Sequence, residues 1–290
     1  STQAKTLFPY TTLFRSRITA GTGLNADVLN KNFLVTACTA TVATVAVLNG
    51  STITTGSGTA CTIAIPGKIS YTPVTGHTSI YHTVEEWYPD VPFSERNLDV
   101  KFTQANLSLP GTGNAKIDFT AIGLNQTNAS AAYFTAPTAE TTTESLVAAS
   151  GLLLVGGVPQ ATITDLNIAI DGKGAAADGV VGSDIRPDVF VGKVSVSGSF
   201  TAYFDSATVP NMFVNETATS IVSALTAGTA ANADFVTLTM SNVRINSSTP
   251  GDNETGLKRT YNFVAVLNAA GGSGTATEKT TLFVQDSAAA

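Results

Sequence analysis

The sequence predicts an all-β protein with little helix, its strands packed as sandwiches or barrels with extended hairpin arms. Apolar and polar residues alternate with period two in segment after segment, and β-branched residues crowd those segments. Turn signals such as "NGST", "GTGN", "DGKG", "TPGDNETG" and "AAGGSG" separate them at short spacing. Many strands so spaced, with few helical stretches between them, imply packed sheets or barrels.

Taken along the chain, alternation places strands at 32–37, 41–48, 62–65, 78–87, 98–109, 115–124, 161–171, 188–204, 219–225, 234–245, 260–267 and 280–285. Short helices are expected at 91–97 and 209–215, and "AETTTESLVAAS" (139–150) could add a turn or two. Residues 17–66, rich in Thr, Ala and Val, read as a small β module or the remnant of a first domain.

The chain writes nearly the same strand twice. "DVKFTQANLSLP" (99–110) aligns with "FVTLTMSNVRIN" (235–246), so that Val100 falls on Val236, Asn106 on Asn242, Leu107 on Val243 and Leu109 on Ile245. "IDFTAI" (117–122) aligns with "YNFVAV" (261–266), placing Phe119 on Phe263. The offset is 136 residues for the first strand (106 to 242) and 144 for the second (119 to 263). A period near half of 290 residues suggests two similar domains rather than a solenoid, whose repeats run about 20–50 residues. Residues 67–145 then hold the first copy, expected to be incomplete, and 146–290 the second. "NASAAYFTAPTAETTTES" forms the connector. Phe119 and Phe263 are expected in the core, since their neighbours Asp118 and Asn262 are polar.

Charged residues make up only 12% of the chain and hydrophobic ones 43%. Little charge is therefore available to keep the surface in water. Thr, Ser and Asn carry solubility, and much of the surface is expected to be buried against other chains. The formal charge is −6, with no run of Lys or Arg, which argues against a nucleic-acid binder. The longest apolar stretches, such as 151–158, fall far short of the roughly 20 residues that cross a bilayer. Cys38 and Cys61 could face each other across adjacent strands, but two cysteines make no disulfide framework, and buried free thiols are expected.

One segment stands apart. "TLFPYTTLFRS" (6–16) resembles the in-frame translation of a sequencing adapter, so residues 1–16 are set aside as a scar and expected to pack poorly. Without Lys5 and Arg15 the formal charge becomes −8. The natural start, and part of the first domain, are expected to be missing.

From His77 to the C-terminus the chain resembles the major tail tube proteins of long-tailed bacteriophages. The resemblance rests on "HTSIYHTVEEWYPDVPFSERNLDVKFTQANLSLPGTGNAKIDFTAIG", on "DGVVGSDIRPDVFVGKVSVSGSFTAYFDSATVPNMFVNETATSIVSALTA" and on "GLKRTYNFVAVLN". It implies tandem β-sandwich or barrel domains, each with a short flanking helix. Six such domains would form a ring with a continuous β inner wall, and three two-domain chains would suffice for pseudo-sixfold symmetry. The rings would stack into a virion tail, assembled in the host cytoplasm, through which DNA passes without specific binding. Tape measure and tail terminator proteins are the further partners it implies, and no membrane. Residues 17–66 have no place in the minimal family domain, so they could be an inserted or added decoration module or the remnant of a first domain cut short. The arm that builds the wall is expected in the second copy, from 161–171 and 180–204 around a loose "GKGAAADG" tip, under-packed in a single chain.

Catalytic chemistry is not expected. His77 and His82, the only histidines, sit in a strand-like segment and read as surface or interface residues. G-x-S-x-G, H-E-x-x-H and P-loop patterns do not occur. Glu85, Glu86 and Asp90 cluster beside Trp87, yet adjacent strand residues point to opposite faces, so Glu85 and Glu86 cannot act as a carboxylate pair. Asp171, Asp178 and Asp184 could offer oxygen ligands to Ca²⁺, but their spacing misses the EF-hand pattern. Seven N-x-[ST] sequons, Asn106–Leu107–Ser108 among them, are what a Thr/Ser/Asn-rich chain yields by chance. The reading is a structural tube subunit with no catalytic, cofactor or metal site. A surface-exposed β-sandwich adhesin or virion decoration protein is the alternative, and an enzyme such as a β-built glycosidase is the third class.

Overall fold

The computed structural model describes all residues except 1–14, 39–42, 48–52, 55–56, 73–79, 140–143, 161, 205–206, 252–255, 270–278 and 290. In chain order the strands are β1 (Arg15–Thr22), β2 (Asn32–Cys38), β3 (Ala43–Val47), β4 (Thr59–Ala64), β5 (Lys68–Tyr71), β6 (His82–Tyr88), β7 (Phe93–Pro110), β8 (Lys116–Ile122), β9 (Asn125–Ala129) and β10 (Val147–Val155). They continue with β11 (Val158–Pro159), β12 (Ile163–Asp171), β13 (Ala175–Ala176), β14 (Val189–Phe190) and β15 (Ser195–Tyr203). Helix α1 (Thr208–Val214) leads to β16 (Thr219–Thr226), β17 (Phe235–Gly251), β18 (Lys258–Ala265) and β19 (Phe283–Asp286). The protein is an all-β sandwich with one short helix among the described residues.

Two long strands organise it. The second half of β7 runs between β8 and β12, and the sheet continues through β15 and β18 to the second half of β17, antiparallel throughout. The first half of β17 belongs to the opposite layer, where it lies between β16 and β19. That layer is extended by β10 and β11 beyond β16 and by β5 beyond β19. A bridge from Asn114 to Val147 and the Ala115 N–H to Leu146 C=O bond tie the start of β8 back to β10, so the layers curl toward each other.

Period two decides what fills the space between. In "SVSGSFTAY" of β15, Val196, Phe200 and Ala202 point inward and are buried. Across the pairing they meet Ile168 and Leu166 of β12 and Tyr261 and Phe263 of β18. Leu225, Leu238, Met240 and Leu282 belong to the same core, and α1 adds Val209. Phe200 stacks on Tyr261 with centroids 5.1 Å apart. Gly198 faces Phe263 directly, and a Cβ there would lie 2.5 Å from the Phe263 ring and 2.2 Å from the Asn167 carbonyl oxygen, so only glycine lets ring and backbone close up.

β1–β4 make a separate four-stranded sheet in the order β3-β2-β1-β4. Leu34 of β2 packs on Leu154 and Val222. Asn32 donates its backbone N–H to Ala231 C=O and its side-chain amide to Ala233 C=O. Gln285 holds the start of β1, accepting from the Arg15 N–H and donating to the Arg15 and Pro66 carbonyls.

Several expectations need correction. Strands 161–171 and 188–204 do not project, because β12 and β15 are paired on both edges in the middle of the sheet. The longer of the two is also broken, into β14 and β15. The "GKGAAADG" tip is not loose: Ala175 and Ala176 pair with β14, and Gly172 donates to Thr103 C=O. Segment 91–97 is a turn running into β7 rather than a helix, whereas α1 lies where 209–215 was expected. Arg15 and Ser16 are not poorly packed but open β1 and are buried. β1 lies between β2 and β4, so Cys38 and Cys61 are not on adjacent strands, and Cys61 is an exposed free thiol rather than a buried one. Strands from both sides of position 145 share one sheet.

The repeat survives as two antiparallel hairpins, β7–β8 and β17–β18, but their registers differ. Phe119 opposes Ala105, while Phe263 opposes Ile245. Phe263 is 1% exposed as expected; Phe119 is 58% exposed, against expectation. Both rings point to the inner side of the sheet. Phe119 stays uncovered because β8 is an edge strand that reaches past the second layer.

Phe263→Ala should therefore cost about 3–5 kcal/mol, as for a buried aromatic, and Phe119→Ala less than about 0.5 kcal/mol in the monomer. Urea unfolding of the two variants checks this. A second expectation concerns Arg15, whose guanidinium has no hydrogen-bond partner among the described residues and lies 4.1 Å over the Phe235 ring. Burial pulls its pKa well below the ordinary arginine value, down to about 9. The cost of keeping it charged is thus fully present below pH 9. Arg15→Met should raise stability by about 1–4 kcal/mol at neutral pH, as apolar replacement of buried charges does, measured as a higher thermal midpoint.

Candidate functional site

The outer face of the sheet β8-β7-β12-β15-β18-β17 is paved with small polar side chains. Cross-strand pairing sets them in level rows. One runs Lys116, Ser108, Asn167, Ser199, Asn262, Ser247 from edge to edge. The next runs Asp118, Asn106, Ala169, Ser197, Val264, Arg244. Flanking rows carry Asp165, Thr201, Thr260 and Thr249 on one side and Thr120, Gln104, Asp171 and Ser195 on the other. The side chains bond along the rows: Thr201 and Thr260 hydroxyls lie 3.0 Å apart, and the Asn262 amide donates to Ser247 at 2.7 Å. The middle of the first two rows, from Ser108 to Ser247 and from Asp118 to Val264, lines a shallow depression of about 740 Å³.

Both edges of this sheet are open among the described residues. β8 pairs only with β7, and residues 244–251 of β17 pair only with β18. β8 is exposed along nearly its whole length, Ile117 to 52%. Such an edge is a template for another chain.

β7 extends beyond the sheet as an arm. Residues 93–98 pair with β6 on one side and β9 on the other. The Glu85 carboxylate is its hub: it accepts the Tyr133 N–H (2.6 Å), the Phe134 N–H (3.0 Å) and the Ser94 hydroxyl, with Arg96 at 4.0 Å. The bond from Phe134 N–H, then that from Ser94, holds the Glu85 pKa below its ordinary value. The Tyr133 and Phe134 rings meet edge to face at 4.9 Å, both about half exposed, and Arg96 lies over Tyr133. Glu86 instead accepts from the Tyr88 hydroxyl, so Glu85 and Glu86 do serve opposite faces.

At the base of the arm lies a groove of about 590 Å³ lined by Ile80, His82, Phe102, Phe119 and Phe190. The His82 ring stands against Phe102, and Phe102 against Phe119, both in T-shaped contacts. Its floor is held by Lys101, which is buried, donates to the Asp188 carboxylate and the Val189 C=O at 2.7 Å each, and lies under the Tyr81 ring. Tyr81 also donates to Asp188. Hydrogen bonds from Lys101 and then Tyr81 hold the Asp188 pKa at about 2, and the bond to Asp188 raises that of Lys101. Nothing in the sequence pattern marked Lys101, Asp188 or the Glu85 hub, since each joins residues far apart in the chain.

Asp171, Asp178 and Asp184 are not gathered: Asp171 accepts from Lys173 and Gln104, the other two stand exposed, and the described residues hold no cluster of metal-ligating side chains. His77 lies outside the described residues. Among those residues no helix is long and apolar enough to cross a membrane.

An all-β sandwich with a polar sheet face and edges left open among the described residues fits a protein that works by assembly. The family model described as phage tail tube protein matches residues 13–265. The chain belongs to the phage tail tube protein family. No curated protein matches it. Membership makes it a structural component of the virion tail that self-assembles into a tube, and the family is not an enzyme family. The match also favours the tube subunit over a surface adhesin or decoration protein.

The Lys101–Asp188 clamp gives this tail tube subunit a defined pH window. Asp188 has a folded pKa below its ordinary 3.8, so its contribution is present above that value and lost as pH falls toward 2. Lys101 is raised above 10.5, so its contribution is present below that pH and lost above it. Asp188→Asn should flatten the dependence of stability on pH between about 4 and 2, read from urea midpoints of both proteins across that range.

Proposed function

We propose that the subunit builds rings in which the polar sheet face lines the lumen, and that the stacked rings form the conduit for DNA ejection. The observation that carries this is the pair of open edges on one sheet. Strand direction alternates from β8 through β17, so β8 of one chain set beside residues 244–251 of the next continues the antiparallel order. A head-to-tail contact of this kind repeats until it closes.

Three two-domain chains per ring are our reading of the repeat. The hairpins β8–β7 and β18–β17 recur across the sheet in the same order and direction, four strands apart. Three chains of six strands, at about 4.8 Å spacing and about 40° tilt, give a wall about 36 Å across at the backbone. Side chains take up about 5 Å on each side, leaving room for a duplex. The face carries hydroxyls and amides with Asp118, Asp165 and Asp171 against Lys116 and Arg244, so it offers no basic track to hold a polyanion. The sheet β1–β4 would stand as a separate module, and tape measure and terminator proteins would meet the tube from within and at its end. Assembly in the host cytoplasm follows from the same reading.

Asp118 lies on one open edge strand and Arg244 on the other, so the two edges that meet at the seam carry opposite charges. Asp118→Arg should abolish tubes in negative-stain images of the purified protein, as should Arg244→Asp. The double exchange should restore them, while all three stay folded by circular dichroism. Tubes formed normally by both single variants would remove this seam from the model.

A further inference from the structure

The two ends of the sheet are unlike. At one end, beyond Asp171 of β12 and before Ser195 of β15, lies the apolar groove, with Ile80 57%, Phe102 48% and Phe190 62% exposed. At the other end, where β15 finishes and β18 begins, Tyr203, Phe204 and Leu257 form an exposed apolar knob. The Phe204 N–H donates to the Leu257 C=O, which fixes the knob to the sheet. Lys258 lies over the Tyr203 ring at 4.9 Å and Arg259 over Phe204 at 5.2 Å. Nine residues of β15 separate knob from groove by about 30 Å.

Charge follows the same polarity. The arm beside the groove carries Glu85, Glu86, Asp90, Glu95 and Asp99 against Arg96, whereas Asp188 in the groove is paired with Lys101 and the nearby Asp171 with Lys173. The knob carries two cations on its rings. A concave apolar site beside an acidic arm at one end, and aromatic rings bearing cations at the other, are complementary between copies. They cannot meet within one chain.

We propose that the knob of one copy docks in the groove of the copy above it, so that this contact stacks ring on ring. The inference rests on the tail tube reading and names the surface that reading leaves open. The occupant is a second copy, because both halves of the contact are present on this chain at opposite ends of the same strands. Exposed aromatic anchors entering an apolar pocket, flanked by opposite charge, are what interface cores are made of. Phe119 lies where groove and lateral edge meet, so stacking and ring closure share a border.

The test uses the full chain. Phe204→Asp and Phe190→Asp alter exposed rings at the two ends, and Leu257→Asp is a second variant of the knob. Each alone should give single rings and no tubes by negative-stain imaging and sedimentation. Mixing preformed Phe204→Asp rings, whose groove is intact, with Phe190→Asp rings, whose knob is intact, should give pairs of rings and nothing longer. Tubes of wild-type length from these variants, or no pairs on mixing, would overturn the stacking assignment while leaving the lateral seam in place. Wild-type protein that forms neither ring nor tube would overturn the ring reading and this inference with it.

Discussion

Pairing of β15 on both of its edges is the constraint on which the rest of the structure depends. With β12 on one side and β18 on the other, the period of two in "SVSGSFTAY" is locked into place. Val196 and Phe200 are driven into the core, and Ser197, Ser199 and Thr201 into the polar rows. A slip of one residue would exchange the two faces entirely. Gly198 under the Phe263 ring fixes that register, since a neighbouring residue with a Cβ does not fit there.

From that locked centre outward, satisfaction of the backbone falls away. The middle strands spend their hydrogen bonds within the chain, while β8 and the far half of β17 keep one edge unused among the described residues. Of the devices that blunt such edges, β17 carries Pro250 and a bulge between Ile245 and Ser247, and β8 neither. The two edges terminate a sheet whose outer face carries mostly small polar side chains. Low charge content, open edges and exposed apolar ends are one property seen at three scales, that of a subunit whose surface is completed by its neighbours.

The polar contacts are concentrated where irregular segments must be held against this sheet. Lys101 pins the β14 segment to β7, Glu85 pins 133–134 to the arm, and Gln285 pins β1 to the C-terminal strand. Each uses a buried or nearly buried group that meets two or more hydrogen-bond partners at once, which offsets the cost of removing it from water. The aromatic groups they support are thereby presented at the surface in fixed positions, with little entropy left to lose on docking.

By itself the sequence determined the strands and their faces. Alternation in 98–109, 219–225, 234–245 and 260–267 was enough to place β7, β16, β17 and β18, and the matched positions Asn106 and Asn242, Leu107 and Val243 fall on the same faces in both hairpins. Period two is a local property, written by each strand alone. It did not reveal β5, β9 or β10, where short length or neighbouring turns and connectors hide the alternation, nor β1, whose first two residues lay in the segment set aside. Only the tertiary structure decided which strands are central and which are edges. That choice moved the projecting element from β12 and β15 to β6 and β7, left Phe119 uncovered while burying Phe263, and brought Lys101 to Asp188 and Glu85 to Phe134. The physical reason is that strand order is set by which apolar faces find a second layer to cover them, and no single strand's alternation says which other strands will supply that layer.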